Sequence, residues 1–168
     1  MAEDAPEIGM VIRHLYLWRD EKAQGQEEGR KARPCVIVHT RQNEFDETEV
    51  FICPITHTQP AESARAIEIP HATKQRLKLD DERSWIITGE VNRFTWRGPD
   101  VVQTQSGSIA YGYLPHGLAK AAVEKVKDNA RERSLGVTDR DDEALKERLR
   151  RMKRRTRPEP GRGKDRER

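Results

Sequence analysis

The chain has 168 residues, of which 34% are hydrophobic and 36% charged, with a formal net charge of +3. That length suits one compact domain with an appendage, not two full domains, and so polar a composition leaves part of the chain outside any core. The charge is uneven: residues 131–168 hold 15 Lys and Arg against 9 Asp and Glu, about +6, and the first 130 hold 17 against 20, about −3. A mildly acidic body excludes a protein that coats nucleic acid over its whole surface, so any anion site on the body is local.

No apolar run is long enough to cross a bilayer, and the opening MAEDAPEIG lacks a basic flank and an apolar stretch. A cytoplasmic protein with no membrane contact is expected. Cys35 and Cys53 sit inside the apolar runs CVIV and VFIC and read as buried, reduced thiols. There is no CxxC, and the five histidines lack metal-ligand spacing. No metal site and no cofactor is expected.

In chain order, VIRHLYLW (11–18) predicts a first strand, and RDEKAQGQEEGRKA (19–32) a long, exposed, mobile loop. RPCVIVHT (33–40) predicts a second strand, with Pro34 tolerated at its start, and EVFICPIT (49–56) a third. SARAIEIP (63–70) reads as a short fourth strand, then a polar connector with a single helical turn. SWIITGEVNRFTW (84–96) reads as a fifth strand, bent or bulged at Gly89, with weaker strand signal at VVQ and SIAY. LPHGLAKAAVEKVKDNA (114–130) is the first convincing helix, Pro115 near its start and Leu118, Ala121, Ala122, Lys125 and Val126 at helical spacing.

Short strands followed by one helix predict a small, strongly bent barrel closed by a helix. A second helix is expected from Thr138 onward, with Thr138 as its cap, Asp139, Asp141 and Asp142 in the first turn and Leu145, Leu149 and Met152 as a narrow apolar stripe. RPEPGRGKDRER (157–168) can bury nothing and reads as disordered. The expected organisation is a domain over 9–127 and a charged C-terminal extension over 128–168, partly helical and then disordered.

A strand with YLW, a loop ending EEGRKARPCVIV and then VFICPITHT resemble the PemK/MazF toxins. The carriers are Arg33-Pro34 opening an apolar strand and Pro54-Ile55-Thr56 closing a later one, with GEVNRFTW at the place of the family's Asp-Gln strand and the helix from Leu114 at its final helix. The resemblance covers roughly residues 9–127. It implies an SH3-like β-barrel that pairs as a homodimer. It also implies a sequence-selective endoribonuclease acting on single-stranded RNA without a metal, neutralised by a small cognate antitoxin. Two departures stand out: Gly89 falls on the family's acidic position with Glu90 on its Gln, and the segment beyond residue 130 has no counterpart.

Such cleavage uses the RNA's own 2′-hydroxyl, so the protein must take a proton, stabilise charge on phosphorus and help the 5′-oxygen leave. The resemblance implies a 2′,3′-cyclic phosphate and a 5′-hydroxyl as products. The candidate catalytic residues are Arg33, whose planar fork grips two phosphate oxygens, Thr56, whose hydroxyl can donate to a phosphate oxygen, and Glu90, as base or as organiser of a loop. Arg30, Lys31, Thr58 and Arg93 are candidate substrate contacts. In a regular strand His57 faces away from Thr56 and Thr58, which leaves it a second choice for proton transfer. Trp18, Phe94 and Trp96 are either stacking platforms for bases or core or dimer-interface residues. A non-catalytic alternative stays open: a toxin or regulatory barrel that acts by binding a protein, as gyrase poisons on a related fold do, or nucleic acid.

Overall fold

The computed structural model describes residues 5–26, 29 and 31–156. Nine strands and four α-helices occur among them: β1 Met10–Leu15, α1 Arg19–Ala23, β2 Ala32–Gln42, β3 Thr48–Thr56, β4 Ala66–Glu68, α2 His71–Arg76, β5 Trp85–Ile87, β6 Glu90–Thr95, β7 Val101–Val102, β8 Ala110–Tyr113, α3 His116–Arg131, β9 Gly136–Asp139 and α4 Glu143–Thr156.

β1, β2 and β3 form the antiparallel centre, in register Val11↔Val36 and Val36↔Cys53. On the far side of β1 lie β7 and β8. β3 divides its outer edge between two partners. Its first half pairs with β6 (Ile52↔Asn92) and its last two residues with β5 (Thr56↔Trp85), which carries β4. The single strand expected over 84–96 is therefore two, broken at Thr88-Gly89, where a Cβ on Gly89 would come 3.1 Å from the Arg65 side chain. The architecture is mainly β with a helix, as expected. Among the described residues the ladder does not close, so the anticipated barrel is an open sheet with barrel-like strand order.

Alternation sends two sets of side chains to opposite faces. Val11, Val36, Val38, Cys53, Ile55, Ile86 and Val91 pack with Ala122 and Val126 of α3, and Met10, Ile12, Tyr16, Cys35, Ile37, Val50, Ile52 and Phe94 form the core on the other face. Both faces being covered, β1 and β2 read as nearly continuous apolar runs. Trp18 and Trp96 pack against the second core, and Phe94 belongs to it. Both cysteines are free and fully buried, and burial pushes both thiols up.

Two other expectations are corrected, for the segment after β1 and for Thr138. The segment after β1 contains the short helix α1, with Asp20 and Glu21 in its first turn and the Glu21 carboxylate accepting the Trp18 backbone N–H at 3.2 Å. Residue 127 falls inside α3, and the chain beyond it adds β9 to the sheet, parallel to β6. Thr138 is buried in β9, so it caps nothing; α4 starts at Glu143, after Asp141 has accepted the Thr95 N–H at 2.8 Å and the Thr95 hydroxyl at 2.9 Å. Residues 157–168, expected to be disordered, lie outside the described residues.

Candidate functional site

Strand register collects the three candidate catalytic residues. Ile12, Cys35, Ile37, Ile52 and Asn92 share a face through the pairs Ile12↔Cys35, Ile37↔Ile52 and Ile52↔Asn92. Steps of two along each strand keep that face. They lead from Cys35 to Arg33, from Ile52 through Pro54 to Thr56, from Asn92 to Glu90 and from Ile12 through His14 to Tyr16. Continued past its last pair, Cys35↔Pro54, the β2–β3 register sets Arg33 level with Thr56, and the β3–β6 register sets Glu90 level with Pro54. Arg33, Thr56 and Glu90 thus stand on one face at one end of the sheet.

The Arg33 guanidinium lies 5.0 Å from the centroid of the Trp18 ring, within cation–π range. Its Nε is buried and has no hydrogen-bond partner among the described residues. Beneath it in the sheet, His14 pairs with Arg33 across β1–β2 and stacks on Phe94 at 4.7 Å. Burial, helped by the Arg140 charge, lowers the His14 pKa to about 3, so its imidazole adds no charge next to Arg33 at neutral pH.

Glu90 opens β6. Its Oε1 accepts the Tyr16 hydroxyl at 3.0 Å and the Arg19 backbone N–H at 3.1 Å. Burial raises the carboxyl above its ordinary value, and the two donors offset this only in part. The Tyr16 phenol, in turn, is pushed up by burial and by the Glu90 charge. Asn92, two residues on, fixes the same segment by accepting the Leu17 N–H at 2.9 Å and donating to the Leu17 carbonyl at 2.7 Å. Glu90 is thus held against the chain that carries Trp18, and Trp18 carries Arg33.

Thr56 closes β3, half-buried, and its Oγ1 accepts the Thr58 backbone N–H at 3.1 Å. Thr58 itself is exposed, and that turn commits its N–H to Thr56. His57 turns toward the loop after α2: Nε2 lies 2.7 Å from Asp80 Oδ2, and Nδ1 lies 3.0 Å from Ser84 Oγ and 3.2 Å from the Arg83 carbonyl. Asp80 also accepts Lys74 Nζ at 2.5 Å, and the same ammonium donates to the Glu82 carbonyl. Lys74 is only 2% exposed, so His57 belongs to a braced network that positions the end of β3.

The remaining candidates divide. Lys31 is exposed at a groove of about 630 Å³, together with Arg13, Arg76, Lys78 and Tyr111. Because Arg13 pairs with Pro34, it points away from the Arg33 face, and the groove opens on the other side of β1–β2. Arg93 does not present its guanidinium to a ligand. It is 15% exposed and bridges Glu49 of β3 and Asp139 of β9, because the β6–β9 pairing sets Arg93 beside Asp139. Arg30 lies outside the described residues. Sequence reasoning missed Tyr16, Asn92 and the Lys74–Asp80 pair. An apolar strand hid the first two, and nothing in HATKQRLKLDD marks the lysine as buried. Among the described residues no group of three His, Cys, Asp or Glu side chains is placed to hold a metal ion.

Residues 14–95, which run from the end of β1 through β6, match the family described as PemK-like, MazF-like toxin of type II toxin–antitoxin system. That portion, just under half of the chain, is similar to the PemK-like, MazF-like toxins, a family whose members act in type II toxin–antitoxin systems. All three candidate catalytic residues fall within it. No curated protein matches the chain in sequence.

Proposed function

We propose that the protein is an endoribonuclease that cleaves single-stranded RNA at the Arg33–Thr56–Glu90 end of the sheet. The observation that carries this reading is Arg33 itself: a half-buried guanidinium stacked on Trp18, with a buried Nε that lacks a partner among the described residues. Buried donors are nearly always satisfied, and a phosphate oxygen is the acceptor this fork fits.

In this reading the 2′-oxygen attacks phosphorus and the P–O5′ bond breaks, leaving a 2′,3′-cyclic phosphate and a 5′-hydroxyl. Glu90 takes the 2′-hydroxyl proton, a role its raised pKa suits. Arg33 stabilises the added negative charge and Thr56 donates its hydroxyl to a non-bridging oxygen. A proton from solvent completes the leaving 5′-oxygen. No step calls for a metal or a cofactor. Lys31, exposed just before β2, contacts a flanking phosphate.

The reading includes a homodimer, since one small domain offers few cations and pairing doubles them. It also includes an antitoxin segment that blocks the site, and a cytoplasmic location beside the RNA substrate. The test is to incubate the pure protein with single-stranded RNA in EDTA and map the fragment ends. Cuts at defined sequences with cyclic-phosphate and 5′-hydroxyl termini are the expected result. Intact RNA overturns the reading and favours a toxin that acts by binding.

A further inference from the structure

We infer that the outward face of α4 is a second nucleic-acid site, which grips the phosphodiester backbone of a single strand far from the cleavage site. α4 is anchored at the tip of the β2–β3 hairpin. Lys146 meets Asp141 at 2.8 Å, Arg150 meets Glu47 at 2.8 Å, and the Arg150 guanidinium lies 3.6 Å from the centroid of the Phe45 ring. A residue advances about 100° around a helix of 3.6 residues per turn, so with Lys146 and Arg150 facing the sheet, Arg148, Arg151 and Arg155 point the other way. All three are exposed. Arg151 leans on Glu147 at 3.4 Å, the one acidic side chain in contact with the row among the described residues.

The chemistry of the row selects the occupant. Its spacing of three and four residues sets neighbouring Cβ atoms roughly 5–6 Å apart on one face, so the guanidiniums form a line of forks suited to a chain of repeating phosphates more than to one compact anion. Leu149 and Met152, 50% and 60% exposed, border the row with apolar surface that an unstacked base can cover. The place also matters. Arg33 begins the strand whose far end leads into this hairpin, and ten residues at about 3.3 Å each put α4 roughly 30 Å away. A strand held at α4 is therefore tethered to the protein without occupying the Arg33 site.

The test uses the full chain and a single-stranded oligo-dT of about twenty nucleotides, which lacks the 2′-hydroxyl and cannot be cut by the proposed route. Anisotropy titrations across a salt series compare wild type with the R148Q/R151Q/R155Q variant, with circular dichroism as the check on helix content. The variant should bind at least tenfold more weakly. Its log affinity against log salt should be shallower by about 2, from roughly 0.7 per lost phosphate contact. The corresponding triple Lys variant keeps the charge and should restore most of the slope. Unchanged affinity and slope in a folded Gln variant overturn the inference. So does a wild type that ignores oligo-dT but binds polyglutamate through these arginines, because the face then takes an acidic protein. The readout is independent of cleavage: a chain that never cuts RNA but shows the slope difference loses the proposed activity and keeps this site.

Discussion

The two ends of the β2–β3 ladder treat arginine in opposite ways. Toward the hairpin, Arg41 and Arg93 both meet Glu49, Arg93 also reaches Asp139, and Arg150 meets Glu47. At the open end no carboxylate among the described residues pairs with Arg33, which rests on the Trp18 ring. A guanidinium neutralised within the fold ties strands and helices together. One that is half-buried against an aromatic face keeps its charge and its fork for an incoming anion. Arg33 and Arg93 look alike in sequence, each an arginine next to apolar strand residues, and the carboxylates around them separate their roles.

The largest expected effect tests that contrast at its functional end. Arg33→Ala should cut the RNA cleavage rate by about a thousandfold, the upper range for losing one charge-stabilising donor, while the urea midpoint barely moves. Near-normal cleavage in a folded Arg33→Ala protein would place the chemistry elsewhere. Thr56→Val and Glu90→Gln should each cost about a hundredfold. They differ in pH profile. Thr56→Val keeps its shape. Glu90→Gln flattens the acidic limb, which in wild type lies above the ordinary carboxyl value of 4.5 because burial raises the Glu90 pKa. If Glu90 only braces Tyr16 and Arg19, Gln costs a few-fold and the limb survives.

Arg93→Ala probes the structural end. It leaves Glu49, which is 6% exposed, with only the more exposed Arg41 as a partner, and unfolding should become easier by about 2 kcal/mol in a denaturant titration. Cleavage per folded molecule should hold. A stable Arg93→Ala protein that binds RNA poorly would move Arg93 back among the substrate contacts.

The smallest effect concerns α4. Burial opposes ionisation of Asp141 and of Glu47. The hydrogen bonds from Lys146 and Thr95 to Asp141, and from Arg150 and Asn43 to Glu47, outweigh it and hold both carboxyls below their ordinary 3.8 and 4.5. Groups with depressed folded values contribute stability above their unfolded values and lose it as pH falls through the lower folded ones. Helix content should therefore be flat from neutral pH to about 5 and decline only below roughly pH 4. A loss of helix between pH 7 and 5 would show that these anchors do not hold α4.

Much of this was legible from residue order alone. Alternation and β-branched runs locate β2 and β3 to within two residues and β1 with its end set three residues too far, and Pro115 and the spacing after it locate α3. Arg33 and Thr56 were singled out because Arg33-Pro34 and Pro54-Ile55-Thr56 resemble motifs of the PemK/MazF toxins, since a polar residue at a strand end is by itself unremarkable. Gly89 marked a break but not its kind, because whether a strand bends or splits depends on which neighbours take its hydrogen bonds. α1 went unseen because five residues bearing mixed charge between glutamines and glycines carry no periodicity. β9 went unseen because the four residues of GVTD have no pattern and pair with a strand some 45 positions earlier.

What the sequence by itself determined are the local quantities: the strands with both faces apolar, the amphipathic α3, two reduced thiols, a basic segment after residue 130 and a short set of polar residues at strand ends. Only the tertiary structure decided that Arg33, Thr56 and Glu90 share a face, that Asp139 and Glu49 consume Arg93, and that Glu47 and Asp141 turn the arginine row of α4 outward. The reason is physical. Propensity and periodicity act over a few neighbouring residues, whereas a charge is neutralised or left free by groups that register and crossover connections bring within a few ångströms from distant parts of the chain.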